Sequence, residues 1–132
     1  MLIFTQLLQL ETLLIDFSNA FAQADMPKNK AVYLQLPRGF KPVGDFSEEM
    51  VLWLKKSLYG QAEAPKLWYE NLKKGMEDRG FKTSQVDPCL FVSKMVIVVA
   101  YVDDCLNFSK NKSDIEKLIR SFKEDGMSLI GR

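Results

Sequence analysis

Two adjacent acids, Asp103 and Asp104, directly follow an apolar run that ends in Tyr101-Val102. Side chains alternate between faces along a strand, so both carboxylates can serve one site only where the strand turns at a hairpin tip. Carboxylates about 4 Å apart repel by roughly 1 kcal/mol in water-like surroundings, and a bound cation relieves that repulsion. Oxygen ligands favour Mg²⁺ or Mn²⁺ over zinc. The pair therefore predicts a divalent-metal site, although Asp-Asp is also common turn chemistry.

A third acid, Asp16, ends another short apolar run, Leu13-Leu14-Ile15. A strand that stops on an aspartate places a carboxylate at the rim of a sheet, where ions can reach it. Together with the other two acids, Asp16 would complete a site for two metal ions, which activate an attacking hydroxyl and stabilise a leaving group in line. Taken alone, an aspartate at this position is more often a cap than a ligand.

Composition removes several other kinds of chemistry. The 132-residue chain has no histidine, which excludes Ser-His-Asp and Cys-His nucleophiles and His-ligated zinc. Its net charge is only +1, so any contact with nucleic acid must be local or supplied elsewhere. Cys89 and Cys105 form no CxxC pair, which favours a reducing, intracellular compartment and packing as small apolar residues. No glycine-rich phosphate loop, signal peptide or membrane span is predicted.

The elements that must position the acids are predicted from periodicity and turn signals within one domain, residues 1–132. We expect helices on one side of an antiparallel sheet, an α+β arrangement. The first predicted elements are a core helix over 2–10, a strand over 13–16 and a turn or short helix over 17–21 for which Ser18 and Asn19 are available as caps. Loops follow over 25–47 with an edge strand at 32–34, and further strands are predicted at 51–54, 89–92, 96–101 and 105–108. Two more helices are predicted, one from Pro65 to Gly80 burying Trp68, Leu72 and Met76 and one with a Ser113–Glu116 capping box that ends at Gly126.

Six short segments along the chain form a pattern. They are Leu14 to Phe21 (LIDFSNAF), Leu36 to Phe40 (LPRGF), Leu54 to Gly60 (LKKSLYG), Ala64 to Tyr69 (APKLWY), Asp87 to Phe91 (DPCLF) and Tyr101 to Asp104 (YVDD). These segments occur in the order found in Ty1/copia-type reverse transcriptases, and the chain closely resembles that family. The match covers nearly the whole chain and is far more specific than one short motif.

The resemblance implies a polymerase palm-like sheet with incomplete fingers and no thumb. It implies RNA-directed DNA polymerase chemistry with two Mg²⁺ (or Mn²⁺) ions, Asp16 and Asp103 as principal metal ligands and Asp104 as the auxiliary one. The implied partners are an RNA or DNA template-primer, a deoxynucleoside triphosphate and the remaining polyprotein segments, with no membrane. The implied location is a cytoplasmic particle or the nucleus.

The resemblance also implies substrate-binding roles for five residues. Phe21 matches the aromatic position that screens against a ribose 2′-hydroxyl, and a core Phe is the plain alternative. Tyr59 and Gly60 match the segment near the templating base, where glycine allows close backbone approach. The resemblance also assigns Phe17 to the substrate-binding residues. It places Tyr101 under the primer end, and a core position is the plain alternative. Four basic residues could contact phosphate, and a position on a solvated face explains them equally well. They are Arg38, Lys55, Lys56 and Lys66.

Two functions of other classes stay open on the sequence. A non-catalytic remnant or domesticated nucleic-acid-binding module would bind nucleic acid in a salt-sensitive way that is indifferent to Asp16. A nucleotidyl cyclase would share the sheet and acids, but the chain has no Gly-Gly-Asp hairpin. With the first acid as early as Asp16, much of the fingers segment of the family precedes the matched region, so this chain is expected to need other segments for activity.

Overall fold

The computed structural model describes residues 2–41, 43–44 and 50–131, and these form four helices and eight strands. The predicted α+β class is confirmed. In chain order the elements are α1 (Leu2–Leu7), β1 (Glu11–Phe17), α2 (Ala20–Gln23), β2 (Tyr33–Gln35), β3 (Val51–Trp53), α3 (Ala64–Glu77), β4 (Lys82–Thr83), β5 (Leu90–Val92), β6 (Val96–Tyr101), β7 (Asp104–Ser109), α4 (Lys112–Glu124) and β8 (Leu129–Gly131).

Within the described residues, six strands form one antiparallel sheet in the order β4-β5-β6-β7-β1-β8, and β2 pairs with β3 in a separate sheet. The β6–β7 hairpin therefore lies directly beside β1, although the two are far apart in the sequence. Asp16 on β1 is opposite Asp104 on β7. Strand order, and not sequence proximity, brings these acids to the same end of the sheet.

One face of the large sheet is covered by α3 and α4. The ring of Phe17 on β1 packs edge-on against Trp68 of α3, with centroids 5.2 Å apart, and against Phe122 of α4 at 5.4 Å. Burying these large rings, together with the other apolar side chains of the core, stabilises the fold. The predicted helical spacing in α3 is confirmed, because its buried apolar residues are Ala64, Trp68, Leu72 and Met76.

The prediction that the N-terminal segment forms a core helix is wrong. Helix α1 forms, but Ile3, Phe4 and Leu7 are exposed. The physical reason is that α3 and α4 already cover the inward face of the sheet, which leaves no place there for α1. No helix among the described residues is both long enough and apolar enough to cross a bilayer.

The predicted N-terminal side-chain caps are also wrong, whereas the predicted stops at Gly80 and Gly126 are confirmed by their positive φ after α3 and α4. Helix α4 begins at Lys112 with Asn111 as its N-cap, so Ser113 lies inside the first turn and no capping box forms. Asn19 precedes α2 in a left-handed conformation without a side-chain cap hydrogen bond. The short strands β4 and β8 are absent from the prediction, because two or three residues carry no measurable alternation. Of the predicted loop region, residues 42 and 45–47 lie outside the described residues.

Arg79 links the two covering helices, and its replacement by lysine should lower the free energy of unfolding by about 1–2 kcal/mol. Its guanidinium donates to the hydroxyl and carbonyl of Ser121, pairs with Asp125 and lies 3.9 Å from the ring centroid of Phe122. A lysine ammonium cannot make this planar set of contacts. Urea unfolding would measure the loss, and Arg120→Lys, at an exposed position on α4, should leave stability nearly unchanged.

Candidate active site

The predicted hairpin is confirmed, but only Asp103 of the two acids lies in its turn, because β7 begins at Asp104. Strands β6 and β7 are joined by two turn residues, Val102 and Asp103, with Tyr101 opposite Asp104. Val102 has φ +55°, a value that β-branched residues rarely adopt, whereas Asp103 is not among the positive-φ residues described. A positive φ at only the first central position matches a type II′ turn, in which glycine is preferred there. The chain thus places a strained residue beside the acid pair.

Replacing Val102 by glycine should stabilise the protein by about 0.5–1 kcal/mol. Left-handed backbone costs a non-glycine residue about 1–2 kcal/mol, and the extra unfolded-state freedom of glycine offsets part of the relief. Urea unfolding measures the difference. Val99→Gly, in the regular part of β6, is the matched control and should be destabilising. A loss of stability at Val102 as well would contradict strain in the turn.

The backbone of β1 holds the turn against the sheet. The Phe17 amide donates a 2.9 Å hydrogen bond to the carbonyl of Asp103. The neighbouring pair, Asp16 and Asp104, is then of the non-hydrogen-bonded type, in which side chains directly opposite each other lie closest and on one face. Asp16 and Asp103 are half-buried and Asp104 is exposed. The structure thus brings Asp16 and Asp104 together as a cross-strand pair, with Asp103 in the adjoining turn.

These acids do not form a complete protein cage for an ion. Among the described residues, no group of three or more Asp, Glu, Cys or His side chains is arranged so that it could hold a metal by itself. Mg²⁺, however, is usually bound by one or two carboxylates and completes its shell with water and substrate phosphates. The two carboxylates that face each other at an open strand end fit that mode. The donor chemistry therefore suits Mg²⁺ or Mn²⁺ without requiring a closed site.

Trp68 is a feature of the site that sequence reasoning missed. Its indole N–H donates a 2.6 Å hydrogen bond to the carbonyl of Val102, while its ring lies in the core. A buried tryptophan generally needs a partner for its N–H, and that requirement was the available signal. The spacing on α3 predicted only a core residue. The indole of Trp68 thus holds the carbonyl of Val102, and the amide of Phe17 holds that of Asp103, so both carbonyls of the turn are hydrogen-bonded.

Phe21 and Tyr59, predicted from separate segments, lie together. Their ring centroids are 4.5 Å apart at an interplanar angle of 36°. Ser57 ties the two segments, because its amide donates to the carbonyl of Ala24 at 2.9 Å and its hydroxyl donates to the carbonyl of Phe21. Gly60 has φ +93°, and apart from its chain neighbours no atom of the described residues lies within 4 Å of where its Cβ would be. Glycine at position 60 is therefore explained by backbone conformation, and the space beside it is open.

Tyr101 and Phe17 have opposite environments. The side chain of Tyr101 is 78% exposed, which excludes the core alternative for it and leaves its ring at the open end of β6. Phe17, by contrast, is fully buried, and its ring serves the core. Two of the basic residues predicted to contact phosphate lie on the surface and form ion pairs. Lys56 pairs with Asp25 at 2.6 Å, and Lys66 pairs with Glu70 at 3.8 Å. Such exposed pairs contribute little to stability.

The two cysteines should differ in reactivity. Cys105 is fully buried, and burial, followed by the charges of Asp104 and Asp103, raises its pKa from 9.0 to about 12. Its thiol therefore keeps its proton at neutral pH, whereas Cys89 is partly accessible. Iodoacetamide should modify Cys89 in the native protein and both cysteines in denaturant, as mass spectrometry would show. Native modification of Cys105 at a comparable rate would contradict the burial.

Comparison with known proteins identifies the family. Residues 9–129 match the family model described as reverse transcriptase (RNA-dependent DNA polymerase). The chain belongs to this family. It is a reverse transcriptase region of the Ty1/copia retrotransposon type, because its relatives are Pol polyproteins of such elements.

Three relatives illustrate the similarity. The retrovirus-related Pol polyprotein from transposon TNT 1-94 of Nicotiana tabacum is 34% identical over 116 residues, which is 84% of this chain and 8% of the relative. That from transposon RE1 of Arabidopsis thaliana is 35% identical over 96 residues, 70% of this chain and 6% of the relative. The Ty1-DR4 Gag-Pol polyprotein of Saccharomyces cerevisiae is 31% identical over 116 residues, which is 83% of this chain and 6% of the relative. The reverse transcriptase region described here thus spans less than a tenth of these polyproteins.

Proposed function

We propose that this chain supplies the metal-binding acids of an RNA-directed DNA polymerase that adds deoxynucleotides to a primer 3′-hydroxyl. The observation that carries the proposal is the cross-strand pair of Asp16 and Asp104 beside Asp103 in the turn. In a chain of the reverse transcriptase family, three acids at the same end of the sheet suit nucleotidyl transfer better than the plain turn chemistry that Asp-Asp alone would suggest.

In this proposal Asp16 and Asp103 are the principal ligands for two Mg²⁺ or Mn²⁺ ions, and Asp104 is the auxiliary one. When bound, such ions favour ionisation of the attacking hydroxyl and neutralise charge on the departing pyrophosphate. The hydroxyl attacks the α-phosphorus of the triphosphate. The exposed ring of Tyr101 lies beside the acids, where a primer end would be, and the Phe21–Tyr59 ring pair offers a rigid wall against a sugar.

The proposal assigns the large sheet to a polymerase palm and the β2–β3 pair to part of the fingers. A thumb, and the rest of the grip on template and primer, would come from other polyprotein segments. This accords with the small share of each relative that the chain spans. A location in a cytoplasmic particle or the nucleus follows from the same proposal.

Primer extension tests the proposal. The folded chain is supplied with a primed RNA or DNA template and deoxynucleotides, with Mg²⁺, Mn²⁺ or a chelator. We expect template-directed extension that requires the metal. Nucleic-acid binding without extension, even after the flanking polyprotein segments are restored, would instead favour the non-catalytic binding module. Triphosphate turnover without a primer would favour a cyclase.

A further inference from the structure

Helix α2, which carries Phe21, is too short to hold its own position. It is a single turn, Ala20–Gln23, and its N-cap Asn19 forms no side-chain cap hydrogen bond. An isolated turn of this length is unstable in water, so tertiary contacts must hold it in place. The position of the Phe21 ring therefore depends on the groups that tie α2 to its neighbours.

The side chain of Gln23 forms one of these ties. Its amide nitrogen donates to the carbonyl of Ser18 at 2.6 Å and to that of Ser128 at 2.9 Å. Its amide oxygen accepts a hydrogen bond from the backbone N–H of Ser128 at 3.2 Å. Both N–H groups of the amide and one lone pair of its oxygen are thus used. Among side chains of this length, only an uncharged amide supplies two donors and an acceptor together.

The groups that Gln23 binds belong to the strand pair that carries Asp16. In the β1–β8 register, Asp16 lies opposite Ile130. Beyond the ladder, the N–H of Ser18, directly after β1, donates to the carbonyl of Ser128, directly before β8, at 3.0 Å. Gln23 bonds to these same two residues. The last turn of α2 is thereby tied to the end of the strand on which Asp16 lies.

A second tie holds α2 from the other side. The hydroxyl of Ser57 donates to the carbonyl of Phe21, whose ring packs on Tyr59 with centroids 4.5 Å apart. These contacts fix Phe21 relative to the segment of Tyr59. The bonds of Gln23 supply the complementary connection, which runs from α2 to the strand of Asp16.

We propose that Gln23 is a positioning residue for nucleotide selection, because its amide sets the distance between the ring of Phe21 and the carboxylate of Asp16. The inference rests on the proposed function, in which Asp16 anchors the triphosphate through metal ions and Phe21 faces the sugar. Gln23 itself would not touch the nucleotide. A nucleotide held at both ends fits closely only at one spacing. Loss of the amide should therefore affect nucleotide affinity and sugar discrimination more than the chemical step.

Gln23→Met tests the positioning without metal or nucleotide. Methionine keeps the length of the side chain and its helix propensity but lacks the amide. In NMR spectra of the full chain, amide exchange of Ser128 should become about five-fold faster or more, because its acceptor is lost. The ring resonances of Tyr59 should shift, because the Phe21 ring moves against it. Gln85→Met, at an exposed glutamine between β4 and β5, is the matched control and should change neither.

Single-nucleotide incorporation separates positioning from general damage. The assay uses the chain, or the longer polyprotein segment that supports extension, with a deoxynucleotide and the matching ribonucleotide. Gln23→Met should raise KM for the deoxynucleotide by about five-fold, leave kcat within about two-fold and lower the preference for deoxynucleotide by about five-fold. Gln23→Glu keeps the length and an acceptor but lacks both N–H donors, so it should behave in the same way. Gln85→Met should match the unmodified chain.

Two results would overturn the proposal. One is a folded Gln23→Met variant in which the exchange of Ser128 and the resonances of Tyr59 are unchanged, whatever the chain catalyses. The other is a loss of kcat with KM and sugar preference unchanged, which would make Gln23 a residue that only stabilises the fold. Shifted resonances, together with no extension by the unmodified chain even after its flanking segments are restored, would support the positioning of Phe21 and refute the proposed polymerase.

Discussion

Replacing Asp103 by asparagine should reduce metal-dependent primer extension by about a thousand-fold or more. Asparagine keeps the size of the side chain but removes the charge that would hold a divalent ion, and a loss of about 4 kcal/mol of transition-state stabilisation corresponds to that factor. The fold should survive, because the bond from Phe17 to position 103 uses the backbone carbonyl. Extension rates on a primed template, in the chain or the longer polyprotein segment that supports them, provide the measurement.

Mn²⁺ binding, followed by water-proton relaxation, gives a second readout that needs no turnover. Asp103→Asn should weaken it, and Asp16→Asn should do the same from the neighbouring strand. Asp78→Asn, at an exposed carboxylate after α3, is the matched control and should change neither measurement. Undiminished extension by Asp103→Asn would refute the assignment of the acids.

Replacing Trp68 by alanine should lower the free energy of unfolding by about 3–5 kcal/mol, because it opens a cavity beside Phe17 and removes the donor to the Val102 carbonyl. That is a large part of the 5–15 kcal/mol typical of a domain, so the variant should be partly unfolded at moderate urea concentrations. Urea unfolding followed by circular dichroism would measure it. A change below about 1 kcal/mol would contradict the packing seen here.

Trp68→Phe separates the two roles of this residue. Phenylalanine keeps a ring against Phe17 but has no N–H, so stability should fall by only about 1–2 kcal/mol. If the indole bond positions the turn, Mn²⁺ binding at the acids should weaken while the protein remains folded. Trp53→Phe, at the exposed tryptophan, should alter neither stability nor metal binding. A folded Trp68→Phe variant with unchanged metal binding would leave Trp68 a packing residue only.

Local patterns predicted the elements that carry strong periodicity. The four-residue spacing on α3 and the uninterrupted apolar run of β6 each have one favourable arrangement, so their limits were predicted closely. The sequence predicted a hairpin with both acids at its tip and a strand returning from Cys105, whereas β7 begins at Asp104 and leaves a two-residue turn, Val102 and Asp103. The N-terminal cap of α4 was predicted wrongly, because Ser113 offers a capping pattern equal to that of Asn111, and the choice between them depends on where α4 meets the sheet.

The sequence by itself predicted which residues would carry the chemistry. The absence of histidine leaves carboxylates, and the order of the six segments indicates the family to which the chain belongs. The tertiary structure alone decided which groups meet. The antiparallel register sets Asp16 opposite Asp104, and the packing of α3 brings the Trp68 indole to the Val102 carbonyl. The physical reason is that periodicity reports which face of an element is buried, whereas strand order and side-chain direction depend on the burial of all elements together.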